Sequence, residues 1–313
     1  MNSKDQQVLQ KIYNHINFPL NTMPTHKLTF LTVLLTAALA FAAPAALFAQ
    51  DPVCPLGEGW KFSAYLSDEF DQDQLDVVKW FNYNPIWRGR KPAMFCKENV
   101  YLQDGKLCLR ADVAPEGYYS EQDRKNGFHT FRTAAVQSRL TVLYGYFEVR
   151  SKPMNSTASS SFWFYKTFGP LGYRFETMSA MPPYWLDKNT PPEVWTEIDV
   201  YEMSARHPKF GSKYIMTTHV NYTPENKHLS WSESWDLPFK PAEDFHVYAL
   251  EWTKEHLKWY VDGQCVRELK NEHWHQPLTI NFDSETMPSW FGLPDPKNLP
   301  SVFEIDYIRV WQR

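Results

Sequence analysis

Three carboxylates fall within six residues at Glu197-Ile198-Asp199-Val200-Tyr201-Glu202, a run whose other members are strand formers. In a regular strand side chains alternate, so Glu197 and Asp199 share one face, Ile198 and Val200 point into a core, and Glu202 falls on the core side. A one-residue bulge near Val200-Tyr201 resets that alternation: Glu202 returns to the face of Glu197 and Asp199, while Ile198, Val200 and Met203 stay inside. Two glutamates across one bulged turn, with an aspartate between them, suit double displacement at a glycosidic carbon. One carboxylate attacks, and a second, roughly 5 Å away, gives and takes back a proton. Three acids this close cannot all ionise cheaply, so one pKa must rise, and the proton is best kept on the residue that protonates the leaving oxygen. An acidic, solvated strand face is the alternative reading.

The chain carries its own control. Glu304-Ile305-Asp306-Tyr307-Ile308-Arg309 repeats the first half of the pattern, but Arg309 follows where a second glutamate would be required, so this copy reads as structural.

The elements that must position the acids are strands. Asn99 to Arg110 reads as a hairpin about Asp104-Gly105, and Leu257 to Leu269 as another about Asp262-Gly263. Alternating segments also run over Ala134–Arg139, Tyr144–Lys152, Ser160–Tyr165 with Trp163, Tyr214–Tyr222, Phe245–Trp252 and Phe303–Trp311. Strands at this frequency predict an all-β sandwich or barrel. Two stretches break the rhythm and read as loops able to wall a cleft: residues 169–195, with five prolines, Tyr184, Trp185 and Trp195, and the polar residues 223–244, with Trp231 and Trp235. His219 alternates with apolar neighbours in Thr217-Thr218-His219-Val220-Asn221, as either a cleft residue or a satisfied surface or core histidine.

At 313 residues and 43% hydrophobic, the chain can bury a substantial core, and one large domain over residues 50–313 is expected. Thirteen Trp and seventeen Tyr exceed what a core needs, and flat rings with a polar handle are what sugars stack on. Leu28 to Ala49 is nearly all apolar, follows His26-Lys27 and precedes Gln50-Asp51, the pattern of a secretory signal peptide over residues 1–49. Starting at Met23 would give that signal an ordinary length; an uncleaved membrane anchor is the rival reading. Secretion to an extracellular or periplasmic location is the expectation. Residues 1–49 hold Lys4, Lys11, Lys27 and one acid, Asp5, so without them the formal charge moves from −4 to −6, which does not indicate a nucleic-acid partner. Cys54, Cys96, Cys108 and Cys265 are an even number for an exported chain, but the Asp104-Gly105 turn sets Cys108 opposite Tyr101, so a Cys96–Cys108 bond would need a bulge. Their pairing stays open.

Six separated motifs carry a family resemblance. They are Ser67-Asp68-Glu69-Phe70-Asp71 with Lys79-Trp80, Asn99-Val100 through Leu107, Tyr144-Gly145-Tyr146-Phe147-Glu148-Val149-Arg150, Glu197 to Glu202, Tyr248 to Trp252 with Trp259 to Gly263, and Ile305 to Val310. In this order they resemble glycoside hydrolase family 16 over about residues 60–313. The resemblance implies a β-jelly-roll sandwich of two antiparallel sheets with a concave sugar-binding face. It implies Glu197 as nucleophile, Asp199 as the residue that tunes it, Glu202 as general acid/base, and a cleft histidine at His219. Trp87-Arg88-Gly89-Arg90, the long segment before Glu197 and Phe291-Gly292-Leu293-Pro294 resemble the agarase, porphyranase and κ-carrageenase branch rather than the laminarinases. The expected substrate is therefore a β-linked algal galactan polysaccharide. Substrate contacts fall to Trp87, Arg90, Trp163, Trp185, Trp195, Arg206, His219 and Asn221; a surface ion pair is the alternative for Arg90. A β-1,3-glucanase or a non-catalytic lectin-like member of the fold are the alternative functions. No catalytic cofactor or metal is expected; a structural calcium near Asp306 is the ion the resemblance suggests. The protein is expected to be a monomer.

Overall fold

A computed structural model of the chain describes residues 51–165, 193–222 and 227–313. These residues lie in one compact unit, Gln50–Arg313; the signal-peptide reading of residues 1–49 falls outside them.

The described chain is built from sixteen strands. They are β1 (Lys61–Phe62), β2 (Trp80–Phe81), β3 (Ala93–Phe95), β4 (Val100–Leu102), β5 (Leu107–Val113), β6 (Phe131–Val142), β7 (Gly145–Lys152) and β8 (Ser159–Tyr165). They continue with β9 (Glu193–Met203), β10 (Lys213–Tyr222), β11 (Lys227–Asp236), β12 (His246–Trp252), β13 (His256–Val261), β14 (Gln264–Lys270), β15 (Leu278–Glu285) and β16 (Ser301–Gln312). One short helix, α1 (Glu121–Lys125), is capped by Ser120 and Asp123. The strands form one hydrogen-bonded path, β11-β10-β9-β8-β15-β6-β5-β16-β7-β12-β13-β14. Every pairing on it is antiparallel; β3, off the path, runs parallel to β6.

The path folds back so that its two ends pack face to face, as the expected sandwich requires. Phe164 of β8 meets Phe147 of β7 with centroids 4.7 Å apart, and Tyr201 of β9 meets Tyr248 of β12 at 4.9 Å. Phe162, Val200, Met216, Leu250, Trp252, Trp259, Phe282 and Ile308 fill the space between them. Each such side chain taken fully out of water contributes about 1.5–3 kcal/mol, before the opposing loss of chain entropy.

Local chemistry explains the hairpins. Asp104 and Gly105 have φ of 51° and 68°, and Asp262 and Gly263 have φ of 47° and 79°, the left-handed pair that a two-residue turn between twisted strands needs. The first turn places Cys108 opposite Tyr101, and all four cysteines are free. In the copy at the chain's end, Glu304 pairs with Lys152 at 2.5 Å and Asp306 with Arg150 at 2.6 Å, consistent with a structural role.

Two strands depart from the sequence reading. Residues 227–236 are strand β11, not loop. Leu229, Trp231 and Trp235 face inward while His228, Ser230, Ser232 and Ser234 fill the other side, so an edge strand has the composition of a loop. Strand β15 was not anticipated, and all eight of its residues are buried, including Thr279, Asn281, Asp283 and Glu285.

Candidate active site

The bulge lies where the alternation of acids requires it. Along β8, Phe162 pairs with Tyr201 and Trp163 with Asp199, skipping Val200; along β10, Ile215 pairs with Glu202 and Thr217 with Asp199. Two consecutive side chains, Val200 and Tyr201, therefore point into the core with Ile198 and Met203. Glu197, Asp199 and Glu202 consequently emerge together on the outer face of β9, lining a small polar cavity with Trp87, Arg90, Ser161, Trp163, Asp283 and Glu285.

Trp87 and Arg90 come from the segment between β2 and β3. Asn84 Oδ1 accepts from the Ile86 and Trp87 amides, both at 3.1 Å, closing the turn. Gly89, at φ 106°, passes so near β3 that a Cβ would stand 3.1 Å from the Phe95 nitrogen, so the chain can reverse there only without a side chain. Trp87 packs edge-on against Phe95 and Trp163, and Arg90 lies 5.7 Å from its ring. A second cavity of about 250 Å³ opens alongside, sharing Trp87, Arg90, Trp163 and Glu197 and adding Asn84, Ile86 and Tyr165.

Five carboxylates thus face one small space. Glu202 is held well above the ordinary carboxyl range, first by burial and then by Asp199, Glu285, Glu197 and Asp283. Asp283 is raised by burial and then by Glu285, although Trp163 Nε1 donates to its Oδ2 at 2.7 Å; its Oδ1 has no partner. Burial also raises Glu285, against the pull of Arg90, whose Nε donates to it at 2.8 Å and Nη2 at 3.4 Å. Burial and crowding thus raise the proton affinity of Glu202, Asp283 and Glu285 together.

His219 faces Glu197 across the β9–β10 ladder, and its Nε2 stands 3.3 Å from Asp199 Oδ2, an ion-pair distance off the line of a hydrogen bond. Burial favours the neutral ring, but contact with Asp199 and then the charge of Glu197 push its pKa up to about 9. The donor atoms of Glu197, Asp199 and His219 lie within 4.8 Å of one another. At the suggested calcium position, Asp306 Oδ2 accepts from Arg150 Nη1, and a calcium there would rely on backbone carbonyls or compete with that pair.

Of the expected substrate contacts, Trp87, Arg90 and Trp163 line the cavities, and His219 stands beside the acids on β10. Arg206 is exposed beyond β9 and lines neither cavity. Trp195 and Asn221 pair across β9 and β10, but their side chains, like the whole of Trp185, lie outside the described residues. Arg88 turns away to Asp123 at 2.5 Å. Sequence reasoning missed Asp283 and Glu285; the alternation of Asn281, Asp283 and Glu285 was their only signal. It also missed Trp274, whose Nε1 donates to the Glu197 carbonyl at 2.9 Å from behind the strand.

Comparison with known proteins finds relatives along most of the chain. The model for the β-porphyranase A–D GH16 domain matches residues 60–170, and the model for glycosyl hydrolases family 16 matches residues 177–308. A κ-carrageenase from Pseudoalteromonas carrageenovora is 26% identical over 90% of this chain and 71% of its own length. A β-porphyranase B from Zobellia galactanivorans is 29% identical over 89% of this chain and 94% of its own. The crystal structure of porphyranase B from Z. galactanivorans superposes with a TM-score of 0.65 at 24% identity, covering 84% of this chain and 99% of that one.

Proposed function

Because the chain belongs to glycoside hydrolase family 16, we propose that it is an exported, endo-acting glycosidase that cleaves a β-linked algal galactan by double displacement with retention. The observation that carries this reading is the bulge at Val200-Tyr201, which sets Glu202 beside Glu197 and Asp199 at the cavity. Glu197, half-buried and shared by both cavities, attacks the anomeric carbon. Glu202 enters protonated, delivers its proton to the leaving oxygen, and then takes one from the water that releases the glycosyl-enzyme. Asp199 lies between them and holds the His219 cation close to Glu197, which lowers the work of gathering negative charge there. No step calls on a cofactor.

Trp87 and Trp163 offer the ring surfaces on which a galactan would stack. Charge favours a neutral or sparsely sulfated chain of the agarose or porphyran type. Five acids surround the site, and the Arg90 guanidinium is engaged by Glu285 rather than held out for a sulfate. Export rests on the apolar run Leu28–Ala49.

The test is incubation of the purified protein with agarose, porphyran, κ-carrageenan, laminarin and mixed-linkage glucan, measuring reducing ends and product sizes. Oligosaccharides from agarose or porphyran are expected. Laminarin cleavage alone would replace the substrate with a β-1,3-glucan and keep the mechanism. Binding without cleavage of any of the five would favour the lectin-like alternative.

A further inference from the structure

Two histidines meet at the seam of β10 and β11, and only His219 reaches the acids. Strand β11 is the outermost of the path and pairs Ser230 with His219 and His228 with Asn221, so His228 is the diagonal neighbour of His219 on the same face. The rings are nearly parallel, at 16° with centroids 5.1 Å apart, and His219 Nδ1 lies 3.0 Å from His228 Nε2.

Nitrogens at that distance need one proton between them, because two lone pairs or two N–H groups would repel. His219 must also carry a proton on Nε2 to face Asp199. One shared proton fits two states: on His228 Nε2 with a neutral His219 accepting, or on His219 Nδ1, which makes that ring an imidazolium and leaves as its acceptor a neutral His228 protonated on Nδ1. The surroundings favour the second state. Asp199 and Glu197 overcome burial to raise His219, while burial and then the His219 cation lower His228. Among the described residues, the groups facing the pair are Glu197 and Asp199 from β9 and the neutral Ser230 and Ser232 on β11; Lys227, beside His228, is exposed.

We propose that His228 is a positioning residue for the site: by accepting the Nδ1 proton it keeps His219 charged and turned toward Asp199, and its own protonation breaks the pair. The consequence for the reaction, which rests on the hydrolase reading above, is an acid limb set by a residue outside the catalytic cavity. As pH falls through the His228 transition, two N–H groups confront each other and the rings part. His219 then loses its orientation beside Asp199 and Glu197, at a pH below the ordinary histidine value.

The experiment compares the full-length protein with His228→Gln, whose amide oxygen accepts the same hydrogen bond without titrating, and with His228→Ala. Proton NMR follows the imidazole signals of His219 and His228 against pH, assigned by their loss in the single variants. His219 is expected to titrate near 9 in the wild type and in His228→Gln, and at a lower pH in His228→Ala, where nothing holds its ring toward Asp199. In kcat/KM on the cleaved polysaccharide, His228→Gln should keep the plateau within about threefold and shift the acid limb to lower pH. His228→Ala should lose about tenfold, mainly in kcat. An unchanged His219 transition in His228→Ala, or a wild-type acid limb in His228→Gln, would overturn the proposal. The NMR titration decides the pair even if none of the polysaccharides is cleaved, so failure of the hydrolase reading is seen separately.

Discussion

The indole nitrogen of Trp274 donates to the main-chain carbonyl of Glu197 at 2.9 Å, so the proposed nucleophile is held from behind by a side chain buried between the layers. The Trp274 carbonyl in turn accepts from Trp252 Nε1 of β12 at 2.8 Å, and Trp259 Nε1 of β13 lies 3.4 Å from the Asp199 carbonyl. Two indoles thus anchor the bulged strand to the opposite sheet beside the position where its regular pairing lapses.

Trp274→Phe keeps most of the ring volume and removes that donor. It should lower stability by about 1–3 kcal/mol, since a buried carbonyl loses its partner, and lower kcat more than it raises KM. Thermal melts and steady-state kinetics on one preparation check both; a stability loss with an unchanged kcat would limit Trp274 to packing.

Glu197→Gln and Glu202→Gln should each cut hydrolysis by about 10²–10⁴-fold or more while leaving the circular dichroism unchanged. The two roles separate with an aryl glycoside whose phenol leaves without help. That substrate should restore the first step for Glu202→Gln and not for Glu197→Gln. Early products followed by NMR should keep the β configuration; an initial α product would reject Glu197 as nucleophile.

The pH dependence of stability follows from which proton each state holds. Glu202, Asp283 and Glu285 keep protons in the folded state that the unfolded chain has released, so their contribution declines as pH rises above the ordinary carboxyl values of about 4. His219 is raised in the fold, so its ion pair is fully present below 6.5 and is lost as pH rises through about 9. Both act in one direction, and Tm should fall from mildly acid pH toward pH 9. Asp283→Asn should flatten that decline; a Tm that climbs between pH 6 and 9 would contradict the assignment.

Arg90→Met should destabilise by about 1–3 kcal/mol, because buried Glu285 loses a hydrogen-bonded partner whose guanidinium is itself half exposed. Adding Glu285→Gln should recover a large part of that loss. A double variant no more stable than the single one would show that Arg90 acts through Trp87 packing instead.

Local features were legible in the chain because their causes are local. Asp-Gly pairs adopt left-handed turns wherever they occur, and the period of Ile198, Val200, Met203 against three acids admits one bulge position if every acid is to leave the core. What the tertiary structure alone decided is which distant strands share a face with β9. Asp283 and Glu285 look like ordinary polar alternation until β15 is laid beside β8, where the sheet buries them against Glu202 and raises their proton affinity. Strand β11 reads as loop until its ladder with β10 brings His228 to His219. Arg90, open to a sulfate in the sequence, is claimed by Glu285 from 195 residues away. Alternation in one strand specifies a face, but the partners across the sheet are chosen by the register that buries Phe162, Tyr201 and Phe282 together, a choice made by packing over the whole chain.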